Sequence, residues 1–154
     1  MSAEARLKEL GLVLPVLPKP TANYLPYRLA GNLLFLAGQG PRDEKGASLT
    51  GKLGAEISIE EGYRRARLVG LGLLAATRDA LGSLDRVDFI VKLLGMVNAA
   101  PGFDRMPQVI DGASDFFYEL LGPKFGQHAR SAVGNVMLPN QISVEIEAII
   151  AVKA

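Results

Sequence analysis

The sequence predicts an α+β domain of order β-β-α-β-α-β-β, with one sheet carrying two helices on one face. Three observations carry this expectation. Two apolar runs flank Gly31-Asn32, a turn pair suited to a β-hairpin. Ser58-Ile-Glu-Glu61 is a capping box that opens a helical pattern. In the last segment Ser143, Glu145 and Glu147 alternate with Ile142, Val144, Ile146 and Ala148, the period of a half-buried strand.

The elements follow in order. Residues 2–10 suit a short helix, and Pro15, Pro18 and Pro20 then hold the chain extended. Residues 1–20 are therefore expected to form an N-terminal helix and arm, and residues 21–154 the domain itself. The hairpin pairs the run 27–30 with 33–37, and Gly38, Gly40, Pro41 and Gly46 end it in a loop that is either a site wall or a plain turn. The first long helix runs from Ser58 to about Ala80. Its inward stripe is Ile59, Tyr63, Ala66, Gly70, Leu73, Leu74, Thr77 and Leu81. Gly62, Gly70 and Gly72 each weaken such a helix by roughly 1 kcal/mol relative to alanine, which close approach to a sheet would offset. Residues 89–97 form a strand that suits a sheet centre. Pro107 opens a second helix, which Gly122 and Pro123 stop near Leu121. Strands at 129–138 and 142–152 follow, joined at Pro139-Asn140. The strands are apolar on both sides, and two helices cannot cover both faces of the sheet. A homo-oligomer is expected.

Composition narrows the chemistry. The 154 residues suit one domain, and 21% charged residues suit neither disorder nor an extended charged helix. Seventeen Lys plus Arg against sixteen Asp plus Glu give a formal charge of +1, so charge supplies no argument for a nucleic-acid partner. The chain has no cysteine, which excludes disulfides, thiol catalysis and Cys-ligated metals. The N-terminus mixes charges too early for a secretory signal, and no long apolar run suits a membrane span, so a cytoplasmic location is expected.

Several side chains could carry chemistry. Arg130 offers a planar fork suited to a substrate carboxylate, and Glu145 could place a water or move a proton. If 139–141 is a hairpin turn, the two lie loosely near each other within one chain. A sheet-surface ion pair would look the same in sequence. Glu147 shares a sheet face with Glu145, as in a glycosidase pair or on any solvated strand. His128 is the single histidine, which rules out multi-histidine metal sites. It either lines a pocket beside Arg130 or packs structurally. Tyr24 either closes a pocket or packs on the core. Gly38-Gln39-Gly40 lacks the lysine of a phosphate loop. Arg64, Arg65, Arg67 and Arg78 read as a solvated helix face, since no aromatic platform for bases surrounds them.

Gly31-Asn-Leu-Leu-Phe-Leu-Ala-Gly-Gln-Gly-Pro41, Ala129-Arg-Ser-Ala-Val133, Leu138-Pro139 and Val144-Glu-Ile-Glu-Ala148 come in the order and spacing of a known family. Over residues 20–152 the chain resembles the Rid (YjgF-like) proteins, once labelled L-PSP endoribonucleases. It is similar especially to a divergent branch marked by Gly51-Lys-Leu-Gly54, Gly62-Tyr-Arg-Arg-Ala-Arg67, Ala100-Pro-Gly-Phe103, Gly112-Ala-Ser-Asp115 and His128-Ala-Arg-Ser-Ala132. The resemblance implies a chorismate-mutase-like fold and a homotrimer with a small carboxylate ligand in each inter-subunit cleft. It implies neither cofactor nor metal, no membrane, and no nucleic-acid partner. Deaminase members of the family hydrolyse 2-imino and 2-enamino acids to 2-oxo acids and ammonia. By that resemblance Arg130 clamps the carboxylate, Glu145 positions the attacking water, Tyr24 lines the pocket, and the backbone carbonyl of Ala132 accepts from the substrate nitrogen. Ala37 stands where the deaminase pattern has serine, and Ser114 where it has asparagine, so the substrate can differ. A non-catalytic carboxylate-binding or regulatory trimer is the alternative, and an endoribonuclease a lesser one.

Overall fold

The first hairpin forms where its turn pair places it, with β1 at Tyr27–Ala30 and β2 at Leu33–Gln39. Gly31 takes φ 59°, the left-handed conformation that such a turn demands. The structure is a computed structural model and describes residues 2–20 and 22–153. The expected boundary at residue 21 falls on Thr21, outside the described residues. Before the hairpin lies α1, Ala3–Glu9, capped by the Ser2 side chain. It docks rather than dangles. Leu7 is buried, and Glu4 binds both the Arg78 guanidinium and the Leu84 amide.

The long helix α2 spans Ile59–Leu81. Ser58 Oγ accepts the Glu61 amide at 3.2 Å, as the capping box predicts. The reciprocal half does not form, because Glu61 turns its carboxylate to Arg64 and Arg65 instead. β3 (Val87–Asn98) leads into α3 (Met106–Leu121), a single turn α4 (Pro123–Gly126) and β4 (Ala129–Asn135). The chain thus resumes a helical turn immediately after Gly122, where a full stop was expected. β5 covers Val144–Val152.

The five strands lie in the order β1-β2-β5-β3-β4. β4 runs parallel to β3, as β-α-β connectivity requires, and the other pairs are antiparallel. This corrects the expected hairpin between the last two strands. β4 ends at Asn135, β5 begins at Val144, and the connection carries Asn140 and Gln141 at φ 54° and 58°. Such a wide connection lets β5 leave its sequence neighbour and insert between β2 and β3. There it buries Val144, Ile146, Ala148, Ile150, Ala151 and Val152, the apolar demand of a central strand.

Both long helices cover one sheet face, and their contact is unusually close. A Cβ built on Gly112 of α3 would lie 2.0 Å from the Tyr63 carbonyl oxygen of α2, and one on Gly70 would lie 2.6 Å from the Phe116 ring. One on Gly95 of β3 would strike Ile110 at 2.6 Å. Gly70 of α2 therefore admits the other helix, and Gly62 admits Leu53 at 2.6 Å and then Val109 of α3 at 3.2 Å, rather than the sheet as expected. Gly72 admits nothing, since its nearest neighbour would be Gln39 at 3.7 Å. Among the described residues no helix covers the other sheet face. Strand alternation places Phe35, Leu94, Met96, Val133 and Ile149 on it, with Phe35 and Val133 each 42% exposed. Among the described residues no helix is long and apolar enough to cross a membrane.

Two glycines on the helices should respond oppositely to alanine. Gly112→Ala meets backbone that cannot swing aside, and a loss of about 3 kcal/mol is expected. Gly72→Ala has room and gains helix propensity, up to about 1 kcal/mol. Urea unfolding of both variants against the parent measures the difference, and equal midpoints would contradict it.

Candidate functional site

Arg130 is the second residue of β4, an edge strand that begins after the turn α4. Its register partner is Leu93, a fully buried residue of the helix-covered face. The arginine side chain therefore rises toward α3. There Nη1 donates to Asp111 Oδ1 at 2.8 Å and to Ser114 Oγ at 3.0 Å. Asp111 and Ser114 stand three residues apart, one helical turn, so both reach the same point. The Arg130 side chain is 22% exposed. Among the described residues, Nε and Nη2 donate to no protein acceptor, so one edge of the guanidinium is fixed and the other is left unengaged. That edge carries the parallel N–H pair that suits a carboxylate.

Behind it stands His128. Its Nε2 lies 3.0 Å from Ser114 Oγ and its Nδ1 lies 2.7 Å from the Gly126 carbonyl oxygen. Burial lowers its pKa below the usual imidazole value. The Gly126 bond opposes that effect, and the neighbouring charge of Arg130 reinforces it. The ring is thus neutral near pH 7. Ala132, two residues beyond Arg130, is half-buried against the core on the same strand. Arg130, Ser114, His128 and Ala132 form one cluster at the β4 edge.

Glu145 belongs elsewhere. It lies in β5 opposite Met96, and it alternates with the buried Val144 and Ile146, so its side chain takes the helix-free face. There it closes on Gly38 of β2, where an added Cβ would sit 2.2 Å from Oε1. No residue larger than glycine leaves that carboxylate in place. Burial raises the Glu145 pKa, and the charge of Glu147 on the same face raises it further. Ala37 adjoins Gly38 where the β2–β5 register shifts, and its amide donates to the Pro26 carbonyl at 2.9 Å. That bond draws the segment carrying Tyr24 to the same end of the sheet. Tyr24 is 57% exposed. Gly38 and Glu145, with the adjoining Ala37, form a second cluster, to which the Tyr24 side chain makes no hydrogen bond among the described residues.

The two clusters are separate within one chain. Arg130 is two strands and three residues of register from Glu145, roughly 14 Å by sheet spacings, and the side chains take opposite faces. The loose proximity expected across a hairpin is corrected by the insertion of β3 between the strands. Sequence reasoning also missed Asp111. Its one-turn spacing from Ser114 was the available signal.

The α2 arginines are paired. Hydrogen bonds from Arg64, then from Arg65, hold the Glu61 carboxyl down to about 2 against the opposing effect of burial. Arg67 binds Glu119, and Arg78 binds Glu4. Among the described residues no group of three or more potential metal ligands gathers.

A family model described as "YjgF/chorismate_mutase-like, putative endoribonuclease" matches residues 4–149. The curated protein TCP17 of Trypanosoma cruzi is 40% identical over 95% of this chain and 91% of its own length. The crystal structure of Atu1372 from Agrobacterium tumefaciens, a protein of unknown function, is 39% identical with a TM-score of 0.88, covering 98% of this chain and 94% of that one. A Shewanella oneidensis structure bearing the endoribonuclease label is 32% identical with a TM-score of 0.93, over 99% of this chain and 100% of that one. With its chorismate-mutase-like fold, this chain belongs to the YjgF/Rid family.

Proposed function

We propose that the protein hydrolyses small 2-imino or 2-enamino acids to 2-oxo acids and ammonia, in a cleft completed by a second copy of the chain within a homotrimer. The observation that carries this is the unengaged edge of Arg130, a guanidinium anchored at Nη1 with Nε and Nη2 donating to nothing among the described residues. Such a fork holds a carboxylate in two parallel bonds and fixes the attached carbon. The iminium carbon beside that carboxylate is electrophilic already. A water attacks it and passes one proton to a carboxylate. The amine of the resulting carbinolamine takes back that proton and leaves as ammonia, while the hydroxyl gives up its own proton and the C–O bond becomes the carbonyl.

Glu145 suits the proton's destination. Its raised pKa makes it a stronger base than an ordinary surface carboxylate. It cannot reach an acid held by Arg130 of its own chain. It can reach one held by a neighbour if the β4 edge of one copy meets the helix-free face of the next. The apolar residues of that face favour being covered. Tyr24, Ala37 and the Ala132 carbonyl would line the same cleft. The serine-to-alanine and asparagine-to-serine departures at 37 and 114 make it less polar and point to a substrate with an apolar side chain. Binding without turnover needs only the Arg130 cluster and is the second outcome of the test. The ribonuclease label of relatives finds little support here, because the α2 arginines are tied to carboxylates.

Imines generated from amino acids by an oxidase should yield 2-oxo acid faster with the protein present than without it. Spontaneous decay rates for every imine tried would sink the enzyme assignment. Arg130→Lys keeps the charge but loses the fork, and affinity for a 2-oxo acid, read by calorimetry, should fall roughly tenfold or more.

Glu145 gives a stability prediction whose sign is fixed. Its folded pKa lies above the ordinary value of 4.5. The stability it contributes is present below that value and is lost as pH rises through the folded pKa. Glu145→Gln cannot ionise, so it should resist urea better than the parent at pH 7. The gap should close in denaturation curves taken near pH 4.

A further inference from the structure

We infer that His128 is a positioning residue for the carboxylate clamp: acting through the Ser114 hydroxyl, it sets the guanidinium of Arg130. This role presupposes that Arg130 grips the carboxylate as proposed above. Hydrogen-bond polarity is fixed from both ends of the chain of contacts. A guanidinium only donates, so Ser114 Oγ accepts from Arg130 Nη1 at 3.0 Å. A carbonyl only accepts, so His128 carries its proton on Nδ1, 2.7 Å from the Gly126 oxygen. Nε2 is then bare and receives the Ser114 proton at 3.0 Å. No other arrangement of protons satisfies all three contacts with a neutral ring.

The far end of this relay is rigid. A Cβ on Gly126 would lie 2.3 Å from the Phe117 carbonyl oxygen, so the α4 backbone packs directly on the last turns of α3. The Phe117 ring meets the imidazole edge-on, with centroids 6.2 Å apart at 85°. The imidazole is held by a carbonyl at one nitrogen, by a hydroxyl at the other and by a ring alongside. A space-filling histidine requires none of this alignment. Asp111 supplies charge to Nη1 but is 47% exposed, whereas the relay supplies direction from a sheltered side.

Two measurements test this. In the native protein, the nitrogen spectrum of this single histidine at pH 7.5 should show the Nδ1–H tautomer, although free histidine prefers Nε2–H. An Nε2–H tautomer would overturn the relay. The second measurement is the affinity of 2-oxobutyrate by calorimetry. His128→Leu fills the space without bonding and should weaken binding roughly three- to tenfold, one hydrogen bond's worth. His128→Gln can accept from Ser114 and should restore most of that loss. Ser114→Ala should match the leucine variant, and the double variant should be no worse than either single one. Where imine turnover is measurable, KM should rise in His128→Leu while kcat holds. Parent-like affinity in His128→Leu, beside lost binding in Arg130→Ala, would overturn the positioning role and leave the clamp standing. Parent-like affinity in Arg130→Ala would instead overturn the clamp and this role with it. If His128→Leu fails to fold, the tautomer decides.

Discussion

The contact between the two long helices governs the rest of the molecule. Gly112 lets α3 settle onto the Tyr63 carbonyl of α2, and Gly95 lets Ile110 sink into the sheet. With α3 held that low, the residues flanking Gly112 project over the start of β4. Asp111 and Ser114 are those residues, and they fix Arg130. Close helix packing is thus converted into the orientation of one guanidinium. A wider separation between α2 and α3 would lift both anchors from the arginine without altering any residue of the candidate site.

The sheet order divides the chemistry. The Arg130 cluster occupies the β4 edge, and the carboxylates Glu145 and Glu147 occupy the helix-free face of β5. Between them runs β3, and the two clusters take opposite faces of the sheet. In the proposed reading each chain carries two complementary halves, one to hold an acid and one to receive a proton. In the proposed assembly the unengaged donors of Arg130 and the Glu145 carboxylate favour the register in which each half meets its counterpart on the next copy. In such an assembly the apolar residues around them would exclude water and strengthen the electrostatics of the cleft.

Local signals in the sequence were sufficient wherever the structure is decided locally. The Gly31-Asn32 turn, the Ser58 cap and the period of α2 placed the hairpin and the first helix within a residue or two, because each depends on neighbours a few positions away. The order of β4 and β5 does not. Consecutive strands joined through Pro139-Asn140 favour pairing with each other, and only the unmet apolar demand of β5 on both faces draws it between β2 and β3. Once that order is missed, the geometry of Arg130 and Glu145 is missed as well. The family resemblance named Ser114 as a pocket residue but did not foresee its bond to Arg130. Asp111, one turn earlier, and the bond from Ser114 to His128 lay within reach of helix and strand periodicity. The tight fit of Gly38 to Glu145 did not, since it arises between strands distant in sequence.

The position of β5 has a consequence for how the chain acquires its shape. This strand follows all the others in sequence, yet it is the one that joins them: β1 and β2 form one ribbon, β3 and β4 another, and neither touches the other until β5 enters. Without β5 the sheet would consist of two ribbons with no strand pairing between them. Pairings this remote in sequence form slowly. Until then the inner edges of both ribbons are open to any extended segment nearby, and residues 144–152 act as the closing piece that removes them.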